Sequence, residues 1–218
     1  MNLTQELADL HRQIEAKLPE EIKTTMQAAA RDLIESGIAT QSVNVGDRAP
    51  HFALPNATGT TVDLQALLAQ GPVVIAFYRG QWCPYCNLQL RALQQALPEI
   101  QQLGATLVAI SPQTPDNSLS TVEKHTLEFE VLSDVGNRVA RDFGLVFQLP
   151  TELCAVYDSL GLDLPAHNGD DSFELPLAAT YILAPDGVVT RAHVQPDYKQ
   201  RLAPEEIIAA LQELTVAA

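Results

Sequence analysis

The chain has 218 residues, and its 13 basic and 27 acidic residues give a formal net charge of −14 at pH 7. Because a negative surface repels nucleic acid and anionic membranes, neither is an expected partner. Hydrophobic residues make up 46% of the chain and charged residues 18%, a balance typical of a globular protein and unlike that of a disordered one.

The cysteine content and the N-terminus bear on cellular location. The chain has three cysteines, Cys83, Cys86 and Cys154. This small, uneven number argues against a secreted disulfide scaffold. The N-terminus has no basic start followed by an apolar run, so no signal peptide is expected. No stretch approaches the roughly 18 apolar residues that a membrane helix needs. We therefore expect a cytoplasmic protein.

The first part of the chain is predicted to form amphipathic helices within residues 3–38. Apolar residues recur there at helical spacing, and Pro19 interrupts the pattern. A second helix over residues 22–34 would end near Gly37, a typical C-terminal cap. Two such helices cannot bury their apolar stripes alone, so we expect them to pack on the main domain or on a second subunit of a homodimer. The predicted division is a helical extension, residues 1–43, and a domain, residues 44–218.

Extended and helical segments alternate in the rest of the chain. The predicted strands are a hairpin over residues 51–64, buried strands over 73–78 and 106–110, a short strand over 131–134, and a late pair over 180–183 and 188–194. The predicted helices cover residues 64–69, 84–103, 121–127, 137–143 and 204–214. This order predicts an α/β fold with a sheet of mixed polarity. Residues 145–175 show no regular pattern and predict an insertion over one end of the sheet, where it would help to shape a site.

The most informative motif is VVIAFYRGQWCPYC, in which a buried strand leads into two cysteines spaced C-x-x-C. Pro84 suits the first turn of a helix, since its missing N–H is not needed there. A helix N-terminus beside Cys83 and Cys86 favours thiolate over thiol, and the pair can close a small disulfide ring. The motif therefore predicts redox chemistry. Zinc needs four ligands and no second motif supplies them, so a zinc half-site and two inert buried thiols are the weaker alternatives.

The predicted order of elements is similar to that of the thioredoxin fold. The sequence resembles more narrowly the peroxiredoxins, the group of alkyl hydroperoxide reductase and thiol-specific antioxidant proteins. Three segments carry the resemblance, which covers about residues 45–214: VGDRAPHFALPNATGTTVDLQALL, GATLVAISPQTPDN and FEVLSDVGNRVARDFGL. It implies a thioredoxin fold in which Cys86 takes the place of the cysteine that attacks peroxide in the pattern F-Y-P-x-x-x-T-x-x-C.

The active-site loop departs from that pattern. Cys83 stands where the group has threonine, Arg79 where it has proline, and Ala178 where an arginine is usual just before a late strand. The pair Trp82-Cys83 resembles thioredoxin, and C-P-Y-C is the glutaredoxin tetrapeptide. Two roles therefore stay open. Either Cys86 attacks a small peroxide and Cys83 resolves, or Cys83 attacks a disulfide substrate and Cys86 resolves.

Four further residues are candidates for a role at the site. Arg79 could stabilise a thiolate and orient a peroxide oxygen, or it could be a solvated residue at a strand end. Trp82 is expected to shield the site and shape its rim, and Tyr85 to modulate access unless it is simply exposed. Cys154 could resolve a sulfenic acid or form an intersubunit bridge, but its context favours a small buried hydrophobe.

The leading hypothesis is a thiol-dependent peroxidase of the peroxiredoxin type, acting on hydrogen peroxide or organic hydroperoxides. A thioredoxin- or glutaredoxin-like reductant would regenerate the Cys83/Cys86 pair. No metal or organic cofactor is required by this chemistry. The alternatives are a protein disulfide oxidoreductase without significant peroxidase activity and a non-enzymatic redox sensor.

Overall fold

The computed structural model describes residues 2–217. Its strands are β1 (Ala53–Pro55), β2 (Thr61–Asp63), β3 (Val73–Phe77), β4 (Thr106–Ser111), β5 (Glu130–Ser133), β6 (Val146–Gln148), β7 (Glu174–Pro176), β8 (Ala178–Leu183) and β9 (Val189–Gln195). Its helices are α1 (Leu3–Glu15), α2 (Glu20–Glu35), α3 (Leu64–Leu68), α4 (Pro84–Gln102), α5 (Pro115–His125), α6 (Arg138–Asp142), α7 (Thr151–Ser159), α8 (Leu164–Asn168) and α9 (Pro204–Ala217). None of these helices combines the length and the apolar character needed to cross a lipid bilayer.

A five-stranded sheet in the order β5-β4-β3-β8-β9 forms the centre of the molecule. Strands β3, β4 and β5 run parallel to one another, whereas β8 is antiparallel to both β3 and β9. Two small antiparallel pairs, β1 with β2 and β6 with β7, lie outside this sheet. The mixed sheet flanked by helices confirms the predicted α/β fold, and α1 and α2 form the predicted N-terminal helical extension.

Strand β3 separates two hydrophobic cores because alternate side chains point to opposite faces of a sheet. Val74 and Ala76 belong to the core that contains residues of α1, α4 and α9. Val73, Ile75 and Phe77 belong to the core that contains residues of α3 and α6. All five side chains are fully buried, so the end of β3 lies deep in the molecule.

The N-terminal helices pack on the main domain, which is one of the two arrangements expected from the sequence. Leu3 and Leu7 are buried where α1 contacts α4, with Ile14 partly buried against the same core. Helix α2 contacts α7, and its Met26 and Ala29 pack against the cluster around Leu153 and Tyr157. The extension therefore covers the end of α4 at which the cysteines lie.

The prediction of an irregular segment over residues 145–175 is wrong. This segment contains β6, α7, α8 and β7, and the two strands pair with each other. With only nine residues in α7 and five in α8, neither helix is long enough to produce a clear apolar period. Helix α5 likewise begins at Pro115, before its predicted start, and it ends at His125 because Thr126 adopts a φ of 51°.

Replacing Leu7 by alanine should lower the free energy of unfolding by about 2–4 kcal/mol, because it leaves a cavity between α1 and α4. The measurement is urea denaturation followed by circular dichroism. The matched control is Leu160→Ala, since that leucine is largely exposed and its loss should cost much less. Equal stability changes in the two variants would show that α1 is not packed as described.

Candidate active site

The junction between β3 and α4 places the two cysteines at a helix N-terminus, as the sequence predicts. Cys83 is the N-cap residue, Pro84 occupies the first turn, and Cys86 lies in that same turn. The Cys83 carbonyl accepts a hydrogen bond of 3.1 Å from the backbone N–H of Asn87. Both thiols are free and buried, with exposed fractions of 2% for Cys83 and 0% for Cys86.

The two thiols differ in charge. Burial raises the pKa of Cys86, but a hydrogen bond from Cys83 and the positive charges of Arg201 and Arg79 outweigh this effect and lower the pKa well below its ordinary value. Burial and the same hydrogen bond raise the pKa of Cys83 well above its ordinary value. These opposite shifts favour the thiolate at Cys86 and the thiol at Cys83.

Arg201 is a site residue that the sequence analysis missed, and Tyr157 and Tyr198 are two more. Arg201 lies between β9 and α9, and its Nη2 donates to Cys86 Sγ at 3.5 Å. Its Nε donates to Gln89 Oε1 at 2.7 Å, and its Nη1 donates to the carbonyls of Tyr198 and Gln200. These contacts fix the guanidinium, which is 7% exposed. The family usually has an arginine where this chain has Ala178. In this chain Arg201 supplies the positive charge near the thiol, and no local motif indicates it.

Arg79 is buried, with an exposed fraction of 3%, so it is not a solvated residue at a strand end. Its guanidinium carbon lies 4.8 Å from the ring centre of Trp82 and 4.5 Å from that of Tyr198. Its Nη2 donates to the Tyr157 hydroxyl. Among residues 2–217, neither Arg79 nor Arg201 has a carboxylate oxygen within 4.0 Å.

Trp82 folds back over the loop because Gly80 leaves room for it. At its φ of 147°, a Cβ on Gly80 would collide with the Trp82 indole and with Gln113. The indole packs against Tyr157, with 5.7 Å between ring centres. This position agrees with the rim expected for Trp82.

Tyr85 is buried and turned toward the N-terminal extension. Its hydroxyl lies 3.3 Å from Nδ1 of His11 in α1, and its ring meets that of Tyr198 edge-on. Burial raises its pKa to about 12, so it stays a neutral phenol at physiological pH. The alternative of an exposed Tyr85 does not hold.

A cleft of about 590 Å³ opens beside the dithiol. The candidate residues that line it are Arg79, Trp82, Cys83 and Tyr85, together with Tyr157 and Tyr198. Cys86 is fully buried and does not line this cleft. The site thus combines the buried Cys86, with its lowered pKa, a neighbouring thiol and two buried arginines. This combination is suited to thiol redox chemistry.

Cys154 lies apart from the dithiol cleft. It is partly exposed on α7, burial raises its pKa, and its thiol donates to the Leu149 carbonyl at 3.9 Å. Within the described residues no group of three or more His, Cys, Asp and Glu side chains could hold a metal ion. Cys83 and Cys86 therefore lack further zinc ligands in this part of the chain.

Among curated proteins, the chain is 29% identical over 166 residues to "Peroxiredoxin Q, chloroplastic" of Populus jackii, covering 76% of this chain and 65% of that protein. It is 32% identical over 103 residues to "Peroxiredoxin Bcp" of Escherichia coli K12, covering 47% of this chain and 65% of that protein. The chain thus spans just under two thirds of the length of both relatives.

The fold also has close counterparts among solved structures. The crystal structure of "Peroxidoxin BcpB" from Mycobacterium tuberculosis superimposes with a TM-score of 0.62 at 23% sequence identity, over 81% of this chain and 99% of that one. The likeness confirms the thioredoxin fold of the peroxiredoxins. A model of the AhpC/TSA family matches residues 45–192, well over half of the sequence. The chain therefore belongs to the AhpC/TSA family.

Proposed function

We propose that the protein is a thiol-dependent peroxidase in which Cys86 attacks the peroxide and Cys83 resolves the product. The observation that carries this proposal is the environment of Cys86, a buried thiolate contacted by Arg201 and hydrogen-bonded by Cys83. The thiolate is the nucleophilic form of cysteine, and a resolving thiol stands three residues away. Family membership supports the proposal, as do the names of the relatives.

The reaction proceeds in three steps. The Cys86 thiolate attacks the terminal peroxide oxygen, the O–O bond breaks, and the leaving oxygen takes a proton and departs as water or alcohol. The Cys83 thiol then attacks the Cys86 sulfenic acid, which forms the disulfide and releases water. Two electrons from an external dithiol, of thioredoxin or glutaredoxin type, reduce the disulfide by exchange.

The two arginines assist the first step electrostatically. In this step negative charge moves from the Cys86 sulfur to the leaving oxygen. Arg201 lies beside the sulfur, and Arg79 lies beside the cleft in which the leaving oxygen would be bound. A fixed positive charge in an enclosed site stabilises a developing anion without solvent reorganisation. Arg201 contacts the sulfur directly, whereas Arg79 lines the cleft from which a peroxide would approach.

A second candidate function, protein disulfide reduction, rests on the position of Cys83. This thiol lines the cleft, whereas Cys86 does not, so a disulfide substrate would meet Cys83 first. Turnover of insulin disulfides without peroxide consumption would favour this function. Turnover of neither substrate would favour a redox sensor.

The homodimer and the cytoplasmic location stay predictions. Analytical ultracentrifugation tests the homodimer.

Replacing each cysteine by serine distinguishes the two orders of attack. Cys86→Ser should abolish the reaction with peroxide, because it removes the thiolate. Cys83→Ser should still consume one equivalent of peroxide and accumulate a sulfenic acid at Cys86. Stopped-flow peroxide consumption and dimedone labelling with mass spectrometry measure both results.

Cys154→Ser is the control for these variants, and it should keep most of the activity because Cys154 lies outside the cleft. A sulfenic acid trapped at Cys83 in the Cys86→Ser protein would reverse the assigned roles. A mixed disulfide at Cys83 in that variant, formed with a protein substrate, would favour the disulfide reductase instead.

Arg201→Met should move the pH dependence of the peroxide reaction. In the wild type the pKa of Cys86 is lowered, so the rate should stay constant as the pH falls below the ordinary cysteine pKa and should drop only when the pH passes below the lowered pKa. Removing one of two lowering charges leaves the burial penalty in place, so the midpoint moves up toward or past the ordinary value of about 8.5. The rate at pH 6 should fall by about tenfold or more, as measured by stopped flow.

Two variants test whether charge is the cause. Arg201→Lys keeps the positive charge and should retain a lower midpoint than Arg201→Met. Arg191→Met removes a half-exposed arginine paired with Glu206, and its pH profile should match that of the wild type. A folded Arg201→Met protein with an unchanged midpoint would refute the role of Arg201.

A further inference from the structure

A second, smaller cavity adjoins the dithiol cleft. It has a volume of about 220 Å³ and lies between α2 and the β6–α7 region, where it is lined by Met26, Ala29, Leu33, Phe147 and Leu153. The cavity and the cleft share four lining residues, which are Met26, Arg79, Tyr157 and Tyr198. The two spaces therefore adjoin at these four side chains.

Arg79 places a positive charge at the junction between the cleft and the cavity. Its Nε has no hydrogen-bond partner among the described residues, although the side chain is almost completely buried. Because the cationic Arg79 side chain lines both spaces, this position favours a ligand that brings an oxygen acceptor. The remaining wall of the cavity is largely apolar. The ligand that fits both features has an oxygen function at one end and an apolar body at the other.

Helix α2 forms one wall of this cavity and lies outside the family match, which begins at residue 45. The cavity is therefore a feature of this chain's N-terminal extension and is not built from the matched region alone. On the opposite side, α7 contributes Leu153 and Tyr157. The extension thus supplies part of a binding surface as well as packing on the domain.

Resting on the proposed peroxidase function, we propose that α2 is a selectivity element, binding the apolar substituent of an organic hydroperoxide in the cavity. A cavity of about 150 Å³ can bind benzene, so this larger one accepts an aryl-alkyl group such as that of cumene hydroperoxide. Arg79 donates to the peroxide oxygen next to that group. Hydrogen peroxide has no such group and gains nothing from the cavity.

The chemical step for an organic hydroperoxide is the same as in the proposed peroxidase reaction. The Cys86 thiolate forms an S–O bond to the terminal oxygen, and the O–O bond breaks. Its electron pair goes to the oxygen attached to the apolar substituent, next to Arg79. That alkoxide takes a proton from water and leaves as the alcohol, while Cys86 is oxidised to the sulfenic acid. The product alcohol keeps the apolar group and should therefore also bind.

The first test is the ratio of kcat/KM for cumene hydroperoxide to that for hydrogen peroxide. Ala29→Leu should lower this ratio by about tenfold, since it fills the space that the substituent needs. Ala28→Leu makes the same change on the same helix at a position that lines neither cavity, and its ratio should match that of the wild type. An unchanged ratio in a folded Ala29→Leu protein would overturn the proposal.

The second test measures binding without turnover. Trp82 is the only tryptophan of the chain, and its ring lies against Tyr157 and Arg79, which line the cavity. Titration with 2-phenylpropan-2-ol, the alcohol formed from cumene hydroperoxide, should change its fluorescence saturably in the wild type and more weakly in Ala29→Leu. The absence of a saturable change in the wild type would refute the cavity as a binding site, even if peroxide is consumed. Saturable binding without any peroxide consumption would support the cavity and refute only the peroxidase function.

Discussion

The attraction between one thiolate and two buried guanidinium groups is the interaction on which this site depends. Arg79 and Arg201 are both withdrawn from water, and the described residues provide no carboxylate within 4.0 Å of either. A buried charge without a partner is strongly unfavourable, so ionisation of Cys86 is favoured because it offsets part of their positive charge. The three groups come from the end of β3, the first turn of α4 and the loop after β9. Holding them together requires β3 and β9 to be in place on either side of β8.

The fold was predictable wherever its elements are long or fully buried. Strands β3 and β4 are continuous apolar runs, and their bounds lie within one residue of the predicted ones. Helix α4 was recognisable from Pro84 at its start and its length. The segment with α7 and α8 was not, because short helices give too few repeats of the apolar pattern. The order of the strands depends on contacts between distant segments, which local patterns do not contain.

The candidate site was likewise only partly predictable from the sequence. The dithiol was predictable because Cys83 and Cys86 share one helical turn and one motif. The contact between Arg201 and Cys86 joins residues 115 positions apart, and nothing around Arg201 resembles a motif. Tyr157 reaches Arg79 across 78 positions from a segment that was predicted to be irregular. Arg201 and Tyr157 thus reach the thiols only through tertiary structure, whereas Arg79, Trp82 and Tyr85 belong to the same local motif as the thiols.

The burial of both sulfurs also separates reagents by size. The cleft is wide enough for a small peroxide, whereas a protein would find only the 2% exposed edge of Cys83 and none of Cys86. Exchange with a protein partner must therefore follow local opening of the first turn of α4 and of the helices that cover it. As the concentration of such a partner rises, the exchange rate approaches the opening rate and stops increasing. The packing of the N-terminal extension would then set the upper limit on how fast the disulfide is returned to the dithiol.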